Sequence, residues 1–110
     1  MPKRKITEYL RAGVSPFAKW FNELDALAAA KVTVALYRLE QGNVSNVRSV
    51  GKGVSEYKID FGPGYRIYFG QEGIEVIILL GGGSRKTQTR DIDIAHNLWA
   101  EYKLNKSKRK

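Results

Sequence analysis

Residues Val54 to Arg90 read VSEYKIDFGPGYRIYFGQEGIEVIILLGGGSRKTQTR, and the reading of this stretch decides the fold. Residues 55–60 (SEYKID) and 65–69 (YRIYF) have strand character and flank DFGPG, whose Pro and Gly suit a chain reversal. A second reversal, GQEG at 70–73, leads into EVIILL at 75–80. An apolar run of that length suits a strand buried on both faces. The spacing predicts a three-strand meander followed by a glycine-rich exit. Side-chain alternation puts Glu56, Lys58 and Asp60 on one face of the first strand, with Tyr57, Ile59 and Phe61 on the other. In the second strand Arg66 and Tyr68 oppose Tyr65, Ile67 and Phe69. The apolar face is expected to pack on helices, leaving the face of Lys58 and Arg66 open.

Downstream, GGGSRKTQTRD lacks the GxxxxGK(S/T) spacing of a phosphate-binding loop. Its glycines are read as permitting a bulge or a close backbone approach. Thr87 or Thr89 can cap a last helix through DIDIAHNLWAEYK, with Ile92, Ala95, Trp99 and Tyr102 as its stripe and Leu98 beside them. Upstream, Gly42 to Gly53 is expected to be a loop that carries Arg48 and Lys52. Before it, Asp25 can cap a helix through ALAAAKVTVALYRLEQ, with Ala28, Val32, Ala35, Leu36 and Leu39 facing inward. Ser15-Pro16 marks an earlier helix start, and Phe17, Trp20, Phe21 and Leu24 share one face of it. Two helices joined so tightly are expected to pack as an antiparallel hairpin. Lys3 to Leu10 is a candidate first strand. The expected fold class is α+β, an N-terminal helical hairpin packed on a small, mainly antiparallel curved sheet with a C-terminal helix.

The 110 residues suit one domain, 1–102, with a basic tail at 103–110 expected to be a flexible arm. Without cysteine and with a single histidine, His96, the chain has neither a disulfide framework nor the ligands for a soft-metal site. His96 is read as structural or solvated. No apolar run reaches the length of a membrane span, and no apolar stretch follows the charged N-terminus, so a cytoplasmic protein without membrane association is expected. The formal charge is +8, but its placement matters more than its size. Lys3, Arg4 and Lys5 lie at one end, and Lys103, Lys106, Lys108, Arg109 and Lys110 at the other. Without those eight, the remaining 11 of the 19 Lys and Arg equal the 11 Asp and Glu, so the body is formally neutral. Any anion site within it must therefore be local.

The pairing of GVSEYKIDFGPGYRIYF with IILLGGGSRKTQTRDI resembles the RelE/ParE superfamily of toxins, in its HigB-like addiction-module-killer branch. The likeness runs from about Trp20 to Leu98. It implies a toxin of a type II toxin–antitoxin system, a metal-independent and cofactor-free endonuclease that cuts mRNA on the ribosome. The implied partners are a helix-turn-helix antitoxin, the ribosome and mRNA. Within the superfamily the ParE branch instead inhibits DNA gyrase without cutting. A degenerate toxin acting only as a corepressor with its antitoxin is a third reading.

By this resemblance Lys58, Arg66 and Arg85 take the positions of the catalytic basic residues. Lys58 serves proton transfer or electrostatic support, while Arg66 and Arg85 hold the phosphate. Arg48, Lys52, Lys86 and Arg90 are the expected RNA contacts, and Tyr68 is a candidate stacking platform. Asp60 stands where the superfamily carries a second lysine and is expected to modulate the site. Asp91, where some members carry a tyrosine, is expected to anchor the last helix, and Gln88 to order the turn before it.

Overall fold

The computed structural model describes residues 3–108. Its elements, in chain order, are β1 (Lys5–Glu8), α1 (Pro16–Asn22), α2 (Ala26–Glu40), β2 (Val47–Ser49), β3 (Val54–Ile59), β4 (Tyr65–Glu72), β5 (Val76–Ser84) and α3 (Gln88–Lys108), with a 3-10 turn at Arg85–Thr87 before α3. The strands form one mixed sheet in the order β1-β5-β4-β3-β2. β1 runs parallel to β5 and the other pairs are antiparallel. The meander of β3, β4 and β5 is its centre.

The helix starts follow their caps. Ser15 Oγ accepts from the Ala18 amide at 2.9 Å, with Pro16 at the first helical position, and Asp25 Oδ1 accepts from the Ala28 amide at 2.8 Å. Each cap satisfies a backbone donor that the first turn leaves without an intrahelical partner. The expected helical hairpin does not form. α1 lies on β5, and α2 lies on β3 and β1. Each helix carries one apolar stripe, and the sheet's apolar face takes both. Phe17, Val32, Ala35 and Leu39 join Tyr57, Ile59, Ile67, Phe69, Ile77 and Leu79 in one core cluster.

The opposite face, expected open, is roofed along most of its length. Tyr9, Val54, Tyr68, Ile78 and Leu80 meet Ala95, Leu98 and Trp99 of α3 in a second core cluster. Alternation along Ile77 to Leu80 thus feeds both clusters, as a strand buried on both sides requires. Lys58 and Arg66 lie at the end of this face beyond the α3 roof, so the charged region is a cleft and not an open sheet.

The glycine run explains how two helices reach β5. Partners jump from Tyr68↔Gly81 to Phe69↔Leu79, a bulge that places an extra residue in β5. A Cβ built on Gly82 would lie 2.3 Å from the Trp20 ring of α1, and one on Gly83 would lie 1.9 Å from Asp91 Oδ2 of α3. Side chains there would push both helices off the sheet.

Two further expectations change. The loop of residues 42–53 contains β2, a three-residue edge strand laid against β3. The segment from Lys103 to Lys108, expected as a loose arm, continues α3 as helix, and Lys106 pairs with Glu72 of β4. Residues 109 and 110 of the expected tail lie outside the described residues. No described helix is long and apolar enough to cross a membrane.

Candidate phosphate-binding cleft

A cleft of about 970 Å³ opens where β2, β3 and β4 emerge from under α3. Arg48, Glu56, Lys58, Asp60, Arg66, Arg85 and Gln88 line it, with the Gly62–Gly64 turn and Ser45–Val47 at its rim. Strand register sets the floor. Arg48 faces Glu56 across β2 and β3, and Lys58 faces Arg66 directly across β3 and β4. Two like charges directly opposite on a sheet repel one another, an arrangement that favours an anion between them.

The turn brings in Arg85. The Arg85 amide donates to the Pro63 carbonyl oxygen at 3.3 Å. Gly64, at φ +77, sits between the two arginines, and an added Cβ would stand 3.4 Å from Arg66 Nη1 and 3.5 Å from Arg85 Cβ, an ordinary contact. It is the positive φ that calls for glycine in this turn.

Arg66 is only 5% exposed and is built into the wall of the cleft. Its Nη1 donates to the Gly64 carbonyl oxygen at 2.7 Å, and its Nε stands 3.6 Å from Glu56 Oε1. Glu56, 1% exposed, is the residue that the sequence reading passed over. Arg48 Nε donates to its Oε1 at 3.1 Å, and Gln88 Nε2 donates to its Oε2 at 2.8 Å. Gln88 therefore ties the first residue of α3 to the cleft floor, beyond the turn-ordering role expected of it. Only the acid's position at the start of a charged strand hinted at Glu56, because a buried carboxylate and a solvated one have the same alternation. Lys58, Asp60 and Arg85 are exposed at the cleft, and their side chains make no hydrogen bond or ion pair among the described residues.

The structure thus gathers Lys58, Arg66, Arg85, Arg48 and Asp60 in one cleft. Lys52, Lys86 and Arg90, the other expected RNA contacts, are exposed but do not line it. Tyr68 is no stacking platform. It is 1% exposed beneath α3. Burial, followed by the charges of Glu56 and Asp91, pushes its ionisation well above the ordinary tyrosine value. Asp91 accepts from Thr87 Oγ1 at 2.5 Å and so anchors the start of α3. His96 Nε2 donates to the Val50 carbonyl oxygen at 2.9 Å, a structural tie between α3 and the β2–β3 turn. Among the described residues, no group of three His, Cys, Asp or Glu side chains is placed to hold a metal ion.

No known family's model matches the chain. It is similar to an uncharacterized protein of Haemophilus influenzae, with 39% identity over 89 residues that span 80% of this chain and 90% of that protein.

Proposed function

The chain belongs to one family with the Haemophilus influenzae protein, and we propose that it is the toxin of a type II toxin–antitoxin pair, an mRNA endonuclease that acts on the ribosome without a metal. The reading adopts the RelE/ParE-like architecture implied by the meander and its glycine-rich exit. It places the protein in the cytoplasm with a helix-turn-helix antitoxin as partner. One observation carries it: Arg48, Lys58, Arg66 and Arg85 converge on one cleft of a body that is formally neutral as a whole.

Cleavage of RNA within its own chain needs three things. A group must take the 2′-hydroxyl proton, cations must hold the charge of the five-coordinate phosphorus, and a donor must protonate the leaving oxygen. Asp60 is an exposed carboxylate without a cation partner and can accept the O2′ proton. The O2′–P bond then forms and the P–O5′ bond breaks. Arg66 and Arg85 hold the non-bridging oxygens with their forked donors. Lys58, across from Arg66, can give a proton to O5′, leaving a 2′,3′-cyclic phosphate and a 5′-hydroxyl. Every atom of the reaction comes from the RNA and these side chains.

Controlled expression tests the reading. Cells expressing the chain are compared for mapped mRNA 5′ ends and for plasmid supercoiling. New in-frame mRNA ends with normal supercoiling are expected. Altered supercoiling with intact mRNA would replace the nuclease by a gyrase inhibitor.

A further inference from the structure

We propose that Glu56 is a positioning residue whose buried carboxylate aims Arg66 at the scissile phosphate. This rests on reading the cleft as an RNA phosphodiester site. On charge alone the group is out of place, since a carboxylate at the floor of an anion site repels the ligand and loses its own hydration on burial. Two hydrogen bonds and a buried cation from three elements offset that loss: Arg48 of β2 donates at 3.1 Å, Gln88 of α3 donates at 2.8 Å, and Arg66 of β4 stands as an ion pair at 3.6 Å, too long for a hydrogen bond.

The geometry shows what the arrangement achieves. Arg66 is fixed by one hydrogen bond, from Nη1 to the Gly64 carbonyl oxygen, while its Nε is buried beside Glu56 as an ion pair without a hydrogen bond. It lines the cleft while remaining 5% exposed, so it offers a phosphate a fixed edge and not a searching side chain. Donors fixed before the reaction need no reorganisation in the transition state. Arg48, 64% exposed, donates to the same Oε1 from the solvent side at 3.1 Å. Of the two arginines beside Glu56, Arg66 is the one buried in the cleft wall, 5% exposed.

Positioning and bulk charge predict opposite signs for one substitution. Glu56→Gln keeps the shape and removes a negative charge from the cleft. If charge alone mattered, RNA would bind more tightly and be cut at least as fast. If Glu56 positions Arg66, single-turnover cleavage of ribosome-bound mRNA falls by about tenfold or more, with affinity for the programmed ribosome unchanged or raised. Gln88→Ala removes one of the two hydrogen bonds to Glu56 and leaves both ion pairs, so it gives a smaller fall in the same rate. It decides the matter if Glu56→Gln does not fold. An unchanged maximal rate in a folded variant, or a loss confined to affinity, overturns the role.

Side-chain ¹⁵N NMR with inorganic phosphate as probe is independent of cleavage. The Arg66 Nε–H signal is expected to be sharp and shifted by phosphate in the unaltered chain, and broad with a weaker response in Glu56→Gln. Equal responses overturn the role. A parent chain that cuts no RNA refutes the nuclease reading alone, and the NMR comparison then decides Glu56.

Discussion

The side chains of Asp60 and Arg85 are exposed and make no hydrogen bond or ion pair among the described residues, so their substitution separates chemistry from stability. Arg85→Ala is expected to lower cleavage on the order of 10²-fold through lost charge stabilisation, with stability changed by no more than about 0.5 kcal/mol. Asp60→Asn is expected to lower the cleavage rate by roughly 10²- to 10⁴-fold if the carboxylate takes the proton. A faster Asp60→Asn chain would instead mark Asp60 as a mere repeller of phosphate. Arg66→Ala affects both properties. It breaks a buried pair, but Arg48 and Gln88 still hold Glu56. Its stability loss should therefore stay below the roughly 3–5 kcal/mol typical of a stranded buried charge. Denaturant midpoints and single-turnover rates check all three. At this scale the basic residues were legible because cations within strands stand out from the alternation. Glu56 and Tyr68 were not, because the roof that buries them comes from a helix that starts only at Gln88, well beyond both strands in the chain.

Tyr9 gives the same scale a pH dependence. Its phenol, 6% exposed and hydrogen-bonded to Glu101, has its ionisation pushed up to about 12, by burial first and then by Glu101. The folded state thus holds the proton more tightly than the unfolded chain does near 10. That contribution to stability is whole below pH 10 and is lost as pH rises toward and through about 12. Denaturation of the parent chain and of Tyr9→Phe at pH 9 and pH 11 should show the parent's advantage shrinking at the higher pH.

At the scale of elements, the glycine run does more than end a strand. Gly82→Ala is expected to displace α1 through the Trp20 ring and to lower stability by about 1–3 kcal/mol, with a shift in tryptophan fluorescence. Gly81→Ala meets nothing within 4 Å and is its control. Caps, stripes and reversals made α1, α2, β3, β4 and β5 readable, since each is a local pattern. The partner of α1 and α2 was not local. Two amphipathic helices pack equally well on each other or on a sheet, and the apolar breadth of β3, β4 and β5 decides for the sheet.

For the whole molecule, charge placement makes a prediction of its own. Truncation after Tyr102 removes five of the cations, together with the solvent-exposed Lys106–Glu72 pair. The fold should lose no more than about 1 kcal/mol. The salt dependence of ribosome binding should weaken, by up to about 0.7 in log–log slope for each cation that meets a phosphate. An unchanged slope would confine RNA contact to the cleft.

The parallel pairing of β1 with β5 also governs how the chain can come into being. Lys5 lies beside Val76 and Glu8 beside Leu79, with the first two helices and the three strands β2, β3 and β4 synthesised between them. β1 therefore stays unmated until β5 has been made and folded onto β4, and the sheet closes only then. Long-range closure of that kind is slow. The site is tied to that closure, because Arg85 follows β5 directly and reaches the cleft only when β5 is in place.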